Sequence, residues 1–253
     1  MLKIIKSKDF KTSLFFALVG LVASALAALY QMDLLSDDMK QEIIKQVGSI
    51  EMMVPIAMVQ GAILTFVAAF IGLKLARKVN LKVNFKYDKQ AVILSVLIAF
   101  LAALIIVGSD RFIFAQYLPN LSAGYNFSFM YLAVGLLYGG VIEEVLVRLF
   151  VMSLFVWVFK LLFARSNDKE NIQGWIYWIA IFLAAALFAA LHLPVTFQTI
   201  GSSFPIIIRC MVLNGIGGIG FGYLYWKKGL SYSIVAHATT HVFMQLVLMP
   251  IFL

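Results

Sequence analysis

The sequence predicts an all-α, polytopic transmembrane helical bundle of about seven spans, with six to eight as the allowed range. Three observations predict it. Of 253 residues, 63% are hydrophobic and only 13% are charged, against about a quarter charged in soluble domains. Apolar runs close to the roughly twenty residues that a helix needs to cross a bilayer recur along the chain. Those runs are continuously apolar and do not alternate, which excludes a closed β-barrel.

The first span is expected from Thr12 to Tyr30. It follows Lys3, Lys6, Lys8 and Lys11, and its length marks it as an uncleaved span rather than a signal peptide. A polar stretch follows, in which Leu35, Met39, Ile43 and Val47 recur every four residues and predict a short surface helix. Further spans are expected near Met52 to Leu73, Gln90 to Gly108, Phe127 to Phe163, Gly174 to Leu193, Pro205 to Trp226 and Ser231 to Pro250. The fourth run is long: some 37 α-helical residues would measure about 55 Å. It reads as one tilted helix that projects beyond the bilayer, bent at Gly139 and Gly140. The whole chain, 1–253, reads as a single membrane domain.

Net charge is +8. Lys and Arg concentrate in cytoplasmic loops of membrane proteins. With the N-terminus inside, fifteen basic residues fall on the cytoplasmic side and three on the other. The basic balance therefore points to membrane orientation and not to nucleic acid. The single Cys210 excludes an internal disulfide and reads as packing.

Ionisable groups within a span are costly, so each is a functional candidate. Glu143, Glu144 and Arg148 lie in one run. Four residues apart on a helix, Glu144 and Arg148 share a face and can pair. Glu143 points about 100° away from Glu144. It is left to face a cavity, where a desolvated carboxylate suits a general base. The alternative is that this cluster ends a shorter span and Arg148 snorkels to the surface. The apolar run from Leu149 to Phe159 argues against that. His192 stands two residues before Pro194. A lone His at a helix end is more often structural than catalytic. His237 and His241, at i and i+4, share a face and can hold a metal between them, or hydrogen-bond between helices. All three His of the chain lie in or beside apolar spans. No zincin His-Glu-x-x-His and no Gly-x-Ser-x-Gly elbow occurs. A carboxylate and imidazoles meeting in one pocket could activate water against an amide, with or without a metal.

Glu143-Glu144-x-x-x-Arg148, then Phe188-x-x-x-His192, then His237 preceded by Gly222, Tyr223, Lys228, Gly229, Leu230 and Ser233 to Ala236, resembles the CPBP family. That family includes the type II CAAX prenyl endopeptidases and bacterial Abi or bacteriocin-immunity proteins. The resemblance covers about residues 127 to 250. It implies an intramembrane endopeptidase in which Glu143 activates water and His192 and His237 hold that water or a metal. His241 would polarise the scissile carbonyl, while Glu144 and Arg148 brace the helix. The family typically has Asn where this chain has His241, which strengthens a metal reading in which Glu143, His192, His237 and His241 hold a divalent ion such as zinc. The implied partners are a membrane-borne peptide or protein substrate and the lipid bilayer of a bacterial cell, in peptide processing or self-immunity. The competing classes are a proton- or cation-coupled transporter and a non-catalytic immunity or binding protein of the same fold. No inverted repeat supports the transporter.

Overall fold

The computed structural model describes residues 7–83, 86–118, 125–163 and 172–253. Among the described residues, besides short 3-10 turns, nine helices carry the architecture: α1 (Lys8–Leu34), α2 (Asp37–Val47), α3 (Met53–Lys78), α4 (Lys89–Phe112), α5 (Phe129–Phe163), α6 (Gly174–Leu191), α7 (Leu193–Thr199), α8 (Phe204–Lys227) and α9 (Leu230–Phe252). Seven of these segments are long and apolar enough to cross a membrane, with α6 and α7 together forming the fifth. No strand occurs among the described residues. The short amphipathic helix expected after the first span is α2, opened by Ser36, whose side chain accepts from the Met39 N–H.

Burial differs from that of a soluble protein in what the outer faces carry. Phe15, Ile63, Leu97, Phe182 and Val212 lie exposed on the outer faces of the spans. The inward faces bury small and polar side chains, among them Ser13, Ser24, Thr65, Ser95, Ser153 and Ser233. This is what lipid demands. Association between spans comes from close packing and polar contacts rather than from expelling water. Gly20 of α1 faces Thr65 of α3, Gly72 of α3 meets Leu149 of α5, and Gly218 of α8 meets Ala185 of α6.

Basic residues gather at one end. There Arg77 makes a two-pronged contact with Asp9, at 2.7 and 2.5 Å. Lys228 reaches Asp88 at 3.1 Å, and Tyr232 donates to the Lys86 carbonyl. Lys78 lies over the Trp157 ring. Gly229 links α8 to α9 with φ +115° and packs on the backbone of Lys82. A side chain at this position would be strained by both φ and crowding. Four of the basic residues read from sequence at this end, Lys3, Lys6, Arg165 and Lys169, lie outside the described residues. At the other end, Arg209 of α8 clasps Asp110 of α4 through two hydrogen bonds of 2.5 and 2.6 Å. Tyr30 and Tyr131 stack there, centroids 5.3 Å apart.

The long fourth segment departs from the α geometry assumed for it. Gly135–Met152 winds as a π-helix between α-helical ends. Hydrogen bonds skip one residue further, so each turn holds more residues and rises less per residue. The segment is therefore shorter than an α-helix of equal length. Glycine explains part of this seam. A Cβ on Gly135 or Gly139 would come within 2.6 or 2.7 Å of the His241 ring, and one on Gly140 within 2.7 Å of Ala238. Glycines 139 and 140, expected as a bend, thus serve as the face on which α9 lies.

Candidate active site

Three spans bring the predicted residues together. Contacts of residue 135 with 241, 140 with 238, and 144 with 233 and 237 show α5 and α9 running antiparallel. Contacts of Arg148 with Phe188 and of Glu143 with His192 show the same for α5 and α6. Helical side chains lean toward the N-terminus of their own helix. Glu143 therefore leans one way along the bundle, and His192 and His237 lean the other. They meet in the middle, although simple counting along α6 and α9 places the two His at different depths. The start of α6 is also held low: Tyr177 stacks on Trp226 at 4.9 Å and donates to the Val79 carbonyl at 2.8 Å.

Glu144 and Arg148 form the expected pair, Oε2 to Nε 3.4 Å, with both side chains sealed from solvent. Arg148 does not snorkel. Its guanidinium donates to the Gly218 carbonyl and lies over the rings of Phe188 (4.8 Å) and Phe221 (5.8 Å). Glu144 does more than brace. Its Oε1 accepts from His237 Nδ1 at 2.9 Å, and its Oε2 accepts from the Ser233 hydroxyl. The Phe221 carbonyl stands 2.9 Å from the same hydroxyl, so two acceptors share its one proton.

Glu143 makes no contact with Arg148 within ion-pair distance and instead faces two imidazoles. Its carboxylate oxygens stand 3.9 Å from His192 Nε2 and 3.8 Å from His237 Nε2. His192 is fixed from behind, because its Nδ1 donates to the Phe188 carbonyl at 2.8 Å. A carbonyl can only accept, and the Glu144 carboxylate likewise accepts from His237. When these rings are neutral the proton therefore sits on Nδ1 in both, and a bare Nε2 faces Glu143. The site is open on one side: the Glu143 and His192 side chains are 19% and 27% exposed, and His237 is 7% exposed.

His241 lies beside this group and not in it. Its ring stacks on His237 with centroids 5.4 Å apart, and rests on the glycines of α5. It has no contact with Glu143 or Glu144 within 4 Å. Sequence reasoning missed Ser233 and Phe221. Ser233 had a usable signal, standing four residues before His237 on the same face. Phe221 had none.

Two imidazoles and a carboxylate are zinc-type donors. Among the described residues, however, no three His, Cys, Asp or Glu groups are placed to hold an ion. An ion about 2.0–2.1 Å from both Glu143 and a His Nε2 would have to subtend about 135° between donors 3.8 Å apart, far from tetrahedral. A water with hydrogen bonds of about 2.8 Å to each fits that gap at an angle near 90°. The four-residue metal set read from sequence is not assembled in this arrangement.

The fold and the site define a polytopic membrane protein with a carboxylate–imidazole centre built inside the bundle. Residues 125–243 match the family model described as Type II CAAX prenyl endopeptidase Rce1-like. The match bears out the resemblance drawn from the motifs, and at the family level it is to a CAAX-type intramembrane protease. Comparison with curated proteins and with solved structures gave no significant match.

Proposed function

We propose that this protein is an intramembrane endopeptidase in which Glu143 activates a water that donates one hydrogen to its carboxylate and the other to the bare Nε2 of His192 or His237. The observation that supports it most is the pair of Nε2 distances, 3.9 and 3.8 Å, from one half-open carboxylate. These gaps are too long for direct hydrogen bonds and suited to a bridging water. Glu143 takes a proton from that water as its oxygen attacks the peptide carbonyl. The tetrahedral intermediate collapses as the same proton passes to the leaving amine. His237 is held by Glu144 and His192 by the Phe188 carbonyl, so neither ring must reorient during the step. His241, stacked on His237, is the group assigned to donate to the carbonyl oxygen as charge develops on it.

On this reading the substrate is a peptide or protein presented at a bacterial cell membrane, with the basic end and the N-terminus cytoplasmic. Its role is peptide processing or self-immunity.

Glu143→Gln tests the assignment. Cleavage of a membrane-presented peptide by the purified protein is expected to fall by at least about 100-fold, the scale of general-base catalysis. The variant should unfold at the wild-type temperature. Normal cleavage by the folded variant would overturn the proposal. Incubation with a chelator is expected to leave cleavage unchanged, and its loss, with restoration by zinc, would replace the water-only mechanism.

A further inference from the structure

Beyond Glu143 the inner face of α9 stays polar for two more turns, and two of its side chains lack partners. Gln245 is completely buried, yet no protein atom hydrogen-bonds either its amide nitrogen or its amide oxygen. His241 Nδ1 is in the same condition. The two residues are four apart and so lie on one face. The register that sets residue 241 against 135 carries Gln245 further toward the end at which α5 begins, on the segment that packs against α4. Neighbouring positions behave differently. Met244 and Leu248 pack into a cluster with Ala103 and Val107 of α4, and Leu246 is exposed toward lipid. Thr240 satisfies itself on the Ala236 carbonyl.

A primary amide carries two donor hydrogens and an acceptor, and proteins rarely bury one with both ends unanswered. A small polar molecule that can donate and accept satisfies such a group, and buried water does so routinely. The column also has a direction. It runs from the open carboxylate past His241 toward the end of the bundle where the buried Asp110 pairs with the partly exposed Arg209.

We propose that His241 and Gln245 hold a file of internal water that continues the Glu143 site along α9 toward the lysine-poor end. Its use as the supply of hydrolytic water rests on the peptidase reading. Gln245 is a water-positioning residue and touches no substrate.

Cysteine accessibility tests it without reference to cleavage. Cys210 is the only native cysteine and is buried, so Cys210→Ala gives a clean background. In that background Gln245→Cys, Leu246→Cys and Leu248→Cys are treated with a cationic methanethiosulfonate, which needs water both to reach the thiol and to find it ionised. Position 245 is expected to react at least about tenfold faster than positions 246 and 248, since the thiolate is the reactive species. Reaction at 245 no faster than at 248 overturns the proposal. Should Q245C fail to fold, Q245L decides instead. A hydrated amide is lost at a cost, so the melting temperature falls; a dry, unpaired amide is relieved by leucine, so an unchanged or raised melting temperature overturns the proposal. Failure of either readout leaves the Glu143 assignment standing, and an inactive enzyme with a labelled position 245 leaves the water file standing.

Discussion

Arg148 shows how one side chain can be both costly and indispensable. It is fully enclosed, held by Glu144, the Gly218 carbonyl and two aromatic faces. Deleting one member of a buried ion pair leaves the other uncompensated and costs about 3–5 kcal/mol. Arg148→Leu is therefore expected to lower the melting temperature in detergent sharply. Adding Glu144→Gln to it should recover part of the loss, because no orphan charge remains while Gln can still accept from His237. Recovery of nothing would mean that Arg148 acts through its stacking on Phe188 and Phe221 and not through charge. At this scale the sequence was informative about identity. Glu143, Glu144, Arg148, His192 and His237 were all legible, because charge inside a span has few benign explanations. The bonding of Glu144 to His237 was not legible, since periodicity relates residues within one helix and says nothing of a partner 93 positions away.

Among the elements, the seam between α5 and α9 is the most exacting. Gly139→Ala would drive a methyl into the His241 ring. Overpacking of this kind costs about 1–3 kcal/mol. Thermal unfolding should report that loss, and cleavage should fall with it as the His237–His241 stack shifts. Gly108→Ala in α4 is the contrast, because nothing lies within 4 Å of its added Cβ. Helix propensity then favours alanine by up to about 1 kcal/mol, and stability is expected to hold or rise. The spans themselves were readable because bilayer thickness imposes a length on apolar runs. The π winding of Gly135–Met152 was not readable, since it depends on what α9 presses against those glycines.

For the molecule as a whole, the basic end is closed by contacts that span the chain. Asp88 caps α4 through the Gln90 and Ala91 N–H groups and pairs with Lys228 at the end of α8. The Lys228 ammonium first, then these amides, hold its carboxyl below the ordinary aspartate value. A depressed carboxylate stabilises the fold fully above the unfolded pKa of about 3.9 and loses that contribution as pH falls through the lower folded value. Asp88→Asn should therefore remove this part of the acid sensitivity. Unfolding temperatures of the two proteins, recorded from pH 7 to pH 3, are expected to converge at the acid end. Charge distribution made this end recognisable in the sequence, but not the closing of residues 79–83 over Gly229, which depends on a backbone that only glycine adopts there.

The two rear-facing N–H bonds of His192 and His237 carry a stereochemical consequence for any peptide that reaches Glu143. A water whose hydrogens are engaged by Glu143 and by a bare ring nitrogen has its lone pairs directed away from both, toward the open side of the cleft. They must reach the carbonyl carbon, which an intact helical turn shields with its own backbone and side chains. Cleavage is therefore expected in segments that unwind at the bilayer, and a substrate stiffened into an unbroken helix across the same bond should survive intact.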